Sequence, residues 1–149
     1  MIREAKLKDI PSIVKLGKEM IHEGRYSHAG YDLSKMADFT QWYIESPDNL
    51  LLVSVIKGRI SGFFFGYISE FYFSTKLMAG EELWYIAKEN RGKRDGVIMI
   101  KKFINWAKSK GVIEISAGVS LGVDDEKAGR VLKGIGFEPA GQNYKVRNA

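Results

Sequence analysis

The stretch that most limits how this chain can fold runs from Leu83 to Phe103. Leu83-Trp84-Tyr85-Ile86-Ala87 is an apolar strand, Lys88 to Gly96 is a short basic loop with two glycines, and an amphipathic helix follows. In that helix Val97, Ile100, Phe103, Ile104 and Ala107 share one face at helical spacing. A strand that feeds a helix through such a loop leaves several backbone N–H groups pointing outward at the helix start. Those donors, the positive end of the helix dipole, and Arg91, Lys93 and Arg94 suit a phosphate or diphosphate. The plainer alternative is a solvated basic turn between two core elements.

The remaining elements flank this unit. Ile2 to Ala5 is a short strand. Asp9 offers an N-cap with Pro11 in the first turn, and Ile10, Ile13, Val14, Met20 and Ile21 form the buried stripe of a first helix. Residues 23–31 lose periodicity and read as a loop, and a second helix spans about Ser34 to Glu45. Leu50 to Ile56 and Ile60 to Tyr67 are strands joined by a hairpin turn at Lys57-Gly58-Arg59. Phe71-Tyr72-Phe73 either starts the next strand or forms a rim before it, Lys76 to Gly80 reads as a turn, and Glu82 to Ala87 is the strand before the basic loop.

Gly111 fits the end of the following helix, and Val112 to Ala117 is a strand. Asp124-Asp125 caps a last helix carrying Ala128, Val131, Leu132 and Ile135, and Gln142 to Val146 is expected as a final strand. Hairpins first and strand–helix–strand later predict an α/β chain with a mixed sheet, antiparallel early and parallel at the basic-loop strand. The length of 149 residues suits a single domain over 1–149.

Arg91-Gly92-Lys93-Arg94-Asp95-Gly96 resembles the coenzyme A diphosphate loop of the GCN5-related N-acetyltransferases, whose pattern is Q/R-x-x-G-x-G/A. Arg91 matches the first position and Gly96 the last, while Arg94 stands at the middle glycine. The order β-α-α-β-β-β-α-β-α-β is similar to that family's over nearly the whole chain. The likeness is nearer to compact bacterial and phage proteins than to the histone-modifying branch. It implies an acyl-coenzyme A N-acyltransferase fold, with a twisted sheet of about six to seven strands flanked by four helices.

By position, the resemblance implies a pantetheine arm along Tyr85, Ile86 and Ala87, and phosphates on Arg91, Gly92, Lys93, Arg94, Asp95, Gly96 and Val97. Glu82-Leu83-Trp84-Tyr85-Ile86 resembles an E-x-x-Y-V pattern that makes Glu82 the catalytic base, with Glu81 as fallback. A carboxylate in a partly desolvated groove has a raised pKa and accepts a proton near neutrality. The run from Asp125 to Phe137 resembles N-x-x-A-x-x-L-Y-x-K-x-G-F at Ala128, Gly136 and Phe137, but Leu132 replaces the tyrosine that protonates the leaving thiolate. Water, Tyr144 or Ser120 is then left to supply that proton. The acceptor region implied by the family includes Tyr26, His28, Tyr31, Tyr72 and Phe73.

The expected activity is transfer of an acetyl group from acetyl-coenzyme A to a primary amine on a small molecule or peptide, with no metal. The alternative is an acetyltransferase-like protein that binds coenzyme A or a partner without turnover, motivated by Arg94 and Leu132. With no cysteine, disulfides, thiolate metal sites and a cysteine nucleophile are excluded, and two histidines make a poor metal cluster. The formal charge of +5 favours acidic ligands. No stacking-rich or recognition-helix pattern accompanies the lysines, so nucleic acid is not the expected partner. No apolar run approaches the ~20 residues of a membrane span. Nor does Met1-Ile2-Arg3-Glu4-Ala5 carry a signal-peptide core, so a bacterial or phage-infected cytoplasm is expected. Some of Phe63-Phe64-Phe65 and Phe71-Tyr72-Phe73 are left for an acceptor pocket or an oligomer face, and a homodimer stays open.

Overall fold

The computed structural model describes residues 1–148. In chain order it comprises β1 (Ile2–Glu4), α1 (Ile10–Glu23), α2 (Leu33–Glu45), β2 (Asn49–Ile56), β3 (Arg59–Glu70), β4 (Leu77–Ile86), α3 (Asp95–Ser109), β5 (Glu114–Ser116) and α4 (Asp125–Ile135). The strands form one sheet in the order β1-β2-β3-β4-β5. Pairing is antiparallel up to β4 and parallel between β4 and β5. Among the described residues no helix is long and apolar enough to cross a membrane.

Side-chain alternation along β3 divides the interior in two. Phe63 and Phe65 face the layer of α1 and α2, with Ile13, Leu16, Met20 and Tyr43. Phe64 faces the other layer, with Met99, Ile100 and Phe103 of α3 and Leu132 of α4. All three phenylalanines are fully buried, because the central strand is covered on both faces. Each such ring contributes on the order of 2 kcal/mol by leaving water. The tight turn joining β2 to β3 has Lys57 and Gly58 both at positive φ (+50° and +76°), the two-residue geometry whose twist matches flanking strands.

Four expectations need correction. The sheet has five strands among the described residues, not six to seven. The segment from Gln142 to Val146 is not a strand: Tyr144 and Val146 are almost fully exposed. The tail instead lies against the α1–α2 connection, where Lys145 Nζ sits 5.6 Å from the Tyr26 ring centroid and Arg147 meets His28 Nδ1 at 2.9 Å. Leu77 to Gly80 is strand rather than turn. Its small residues serve packing: Ala79 is fully buried, and a Cβ on Gly80 would collide with the ring and hydroxyl of Tyr67. Phe71 to Phe73 forms the rim at the hairpin tip, with Tyr72 fully exposed.

The fourth correction concerns Asp9. Its carboxylate does not cap α1. It turns back to accept from Lys6 N at 2.7 Å and from both guanidinium arms of Arg3, at 2.7 and 3.0 Å. That pairing holds the aspartate well below the ordinary carboxylate range, the Arg3 hydrogen bond being the main cause. It fastens β1 to the start of α1.

Candidate active site

The site begins where β4 parts from β5. The two pair only from Met78 to Gly80 against Glu114 to Ser116, and β4 then runs on to Ile86 without that neighbour. The residue at the fork is Glu81, whose carboxylate reaches across to accept the Gly118 N–H at 3.0 Å. Burial pushes its pKa up to about 7, the Glu82 charge adds to the rise, and the Gly118 hydrogen bond opposes it.

Glu82 is the extra residue of a β-bulge. Phe65 pairs with Leu83 and Gly66 with Glu81, leaving Glu82 without a partner on β3. The bulge reverses the parity of the strand. Beyond it, Leu83 and Tyr85 turn to the α1–α2 layer, and Trp84 and Ile86 turn to the α3 layer. Glu82 itself is exposed, with its carboxylate accepting the Tyr43 hydroxyl at 3.3 Å. The carboxyl in the environment expected of a base is therefore Glu81 rather than Glu82.

Beyond Ile86 the chain enters the basic loop. Ala87 N donates to Ser61 O at 2.8 Å and anchors the strand end, and a single 3-10 turn spans Lys88–Asn90. Gly92 then takes φ +82°, a conformation that a side chain resists. From Gly92 to Val97 no backbone N–H donates to any group among the described residues, and the first helical bond is Ile98 N to Arg94 O at 2.9 Å. Six consecutive amides thus stand free at the positive end of a 15-residue helix.

These amides open into a cleft between β4 and α4. Trp84, Tyr85 and Ile86 form its floor, and Gly92, Lys93, Gly96 and Val97 one wall. The other wall comes from α4 and its approach, with Val123, Asp124, Lys127, Ala128 and Val131. Seven of the ten expected cofactor-binding residues line it: Tyr85, Ile86, Arg91, Gly92, Lys93, Gly96 and Val97. Ala87 is buried behind it, Arg94 is exposed, and the Asp95 carboxylate turns inward to the Ser54 hydroxyl. Arg94 has right-handed helical dihedrals, so a glycine is not required there for backbone reasons.

Arg91 borders the cleft but commits its guanidinium elsewhere. Two nitrogens grip Glu23 of α1 at 2.5 and 2.7 Å, and Nε donates to Ile86 O at 2.9 Å. The Tyr85 hydroxyl donates to the same glutamate at 2.8 Å, and the guanidinium lies 5.2 Å from the Tyr85 ring centroid. Arg91 lowers the Glu23 pKa, while burial and the Glu23 contact raise that of Tyr85. The arginine expected on phosphate is a clamp between loop, strand and first helix. Two lysines line the cleft beside the free amides: Lys93, whose Nζ reaches Asn90 Oδ1 at 3.3 Å, and Lys127, whose Nζ lies 4.0 Å from where a Gly92 Cβ would stand.

The reading by motif missed Asn90, Val123, Lys127 and Val131. The last two had a signal, since Asp124, Lys127, Ala128 and Val131 recur at the spacing of one helix face. Other expected residues are not brought to the cleft. Leu132 is buried in the α3-side core. Tyr144 is exposed on the tail with its hydroxyl on Gln142. Tyr26 and His28 lie together under that tail, and Tyr72 caps the hairpin at the far end of β4. Tyr31 donates to Val14 O at 2.7 Å and ties the loop after α1 to that helix.

No family model matches the chain, and no curated protein matches it by sequence. Solved structures do match, end to end. A transcriptional regulator from Bacillus halodurans superposes with a TM-score of 0.79 at 18% identity over 99% of each chain. An aminoglycoside 6'-N-acetyltransferase from Acinetobacter haemolyticus gives 0.77 at 13% identity, covering 100% of this chain and 98% of that one. A Trypanosoma brucei acetyltransferase gives 0.75 at 16%, over 99% of each chain. The architecture is that of the acetyltransferases, and the fold is the one expected of the GCN5-related N-acetyltransferases.

Proposed function

We propose that this protein is an acetyl-coenzyme A-dependent N-acetyltransferase that moves the acetyl group directly to a primary amine. The observation carrying the reading is the run of six unbonded amides from Gly92 to Val97 beside the open edge of β4. Amides in a row at a helix start bind a diphosphate with full hydrogen bonding, and Lys93 and Lys127 add charge. From Ile86 back to Glu81 the strand covers about 16 Å, along which an extended arm lies against backbone that β5 leaves free. Acetyl-coenzyme A supplies an activated acetyl thioester.

Glu81 takes the proton from the incoming ammonium, and a pKa of about 7 keeps half of the enzyme in the accepting form at neutrality. Leu132 offers no proton to the departing thiolate, so water supplies it, a thiol of pKa ~8.5 being a tolerable leaving group. Titration calorimetry with acetyl-coenzyme A tests the reading, and no heat at millimolar cofactor overturns it.

A second reading follows from Leu132. With that position packed into the core, the protein holds coenzyme A or a partner without turnover. Cofactor binding with no thiol released across a broad amine panel favours this reading over the first.

A further inference from the structure

A second groove opens on the opposite side of β4, between the end of α2, the start of β2 and the bulge. Its lining includes Trp42, Tyr43, Asp48, Tyr67 and Glu82. Its composition runs against the rest of the molecule. The chain carries a formal charge of +5, yet this lining holds two carboxylates and no lysine or arginine. Three of its side chains are aromatic, and Trp42 stands edge-on to Tyr43 with centroids 5.4 Å apart. Carboxylates beside aromatic faces attract organic cations by charge and by the ring quadrupole.

Two further observations join the groove to the site. The Tyr67 ring lies against Gly80, and Glu82 belongs to the lining, so the groove borders β4 at the residues on either side of Glu81. Burial raises the Tyr43 and Tyr67 phenols and keeps them protonated as donors, and the charges of Glu82 and Glu81 add to the rise in both.

We propose that this groove holds the non-reacting ammonium of a small acceptor bearing two positive charges, whose other nitrogen is presented at Glu81. The proposal rests on the acetyltransferase reading and narrows its acceptor to dicationic amines. Asp48 and Glu82 balance the bound charge, and the faces of Trp42 and Tyr43 cover its methylenes. A monoamine has a single ammonium and cannot fill the groove and reach Glu81 together, and an amine carrying a carboxylate is repelled.

Calorimetry on the cofactor-free protein at low salt tests this, with 1,4-diaminobutane and 1-aminobutane as probes. The diamine is expected to bind more tightly. Glu82→Gln and Asp48→Asn are each expected to weaken it about fivefold and to narrow its advantage over the monoamine. Both side chains are exposed, so both variants are expected to retain the wild-type melting temperature. Equal affinity for the two amines, or diamine binding unaffected by either substitution, overturns the proposal. Acetyl-coenzyme A is titrated separately: its failure to bind overturns the enzymatic reading, while the diamine comparison still judges the groove.

Discussion

Arg91 and Glu23 form a two-pronged ion pair across 68 residues of sequence, at 2.5 and 2.7 Å. The pair fixes the basic loop to the first helix, and the Arg91 Nε bond to Ile86 O fixes it to the strand as well. A parallel fork of this kind is geometrically demanding, and lysine does not reproduce it.

Arg91→Ala and Arg91→Lys should therefore both lower stability, by about 1 kcal/mol given the partial exposure of the pair, and both should weaken coenzyme A binding. Thermal melts and calorimetry check this. The Glu23 pKa lies below its ordinary value, so the contribution of the pair is fully present above about pH 4.5 and is lost as pH falls through the folded value. In Arg91→Ala that acid-side loss should shrink.

Glu81→Gln should reduce kcat roughly 100-fold, the scale of a lost proton acceptor. Wild-type rates should rise with pH through about 7 and level off, and the variant should lack that limb. Stability runs the other way. The folded protein holds a proton on Glu81 that the unfolded chain releases near pH 4.5, so stability falls between about 4.5 and 7. At pH 8 the glutamine variant should melt no lower than wild type, which separates a chemical role from a structural one.

The two loop glycines should behave differently. Gly92 at φ +82° has a conformation that costs a side chain about 1–2 kcal/mol, so Gly92→Ala should lower the melting temperature. A Cβ on Gly96 would rest at ordinary contact, 3.6 Å from Trp84 and 3.9 Å from Ile86. Gly96→Ala should leave stability unchanged or raise it by up to about 1 kcal/mol, because alanine favours the helix.

Gly80→Ala places a methyl against the Tyr67 ring at the fork of the sheet. Overpacking of this kind should remove about 1–3 kcal/mol in denaturant melts. In combination with Tyr67→Ala the two losses should be less than additive, since the ring that obstructs the methyl is then gone.

The long elements were legible because their apolar periods are strong. The stripe of α1, the continuous apolar run of β3 and the face of α3 each follow from the local pattern alone, and so does the strand–loop–helix unit that builds the cleft. Ala79 and Gly80 misled because small residues in a tightly packed strand look, in one dimension, like a turn. Tyr144 and Val146 misled in the opposite sense, alternating like a strand with nothing apolar to cover them. The partnership of Arg91 with Glu23 lay beyond reach, since no local spacing marks a contact between a loop and a helix 68 positions earlier. The order of Glu81 and Glu82 likewise depends on where an unpaired residue falls in a ladder, which only pairing reveals.

That unpaired residue bears on how β4 can vary. Remove Glu82 from the chain and the ladder closes up: Phe65 stays opposite Leu83 and Phe64 opposite Trp84, so Tyr85 still faces Glu23 and Trp84 still faces the cleft. What goes is the extra bend and twist that one unpaired residue gives the strand, beside the point where it leaves β5. Across relatives of this chain, a missing residue here should go with a straighter β4 and a narrower fork, while the residues beyond it keep their faces.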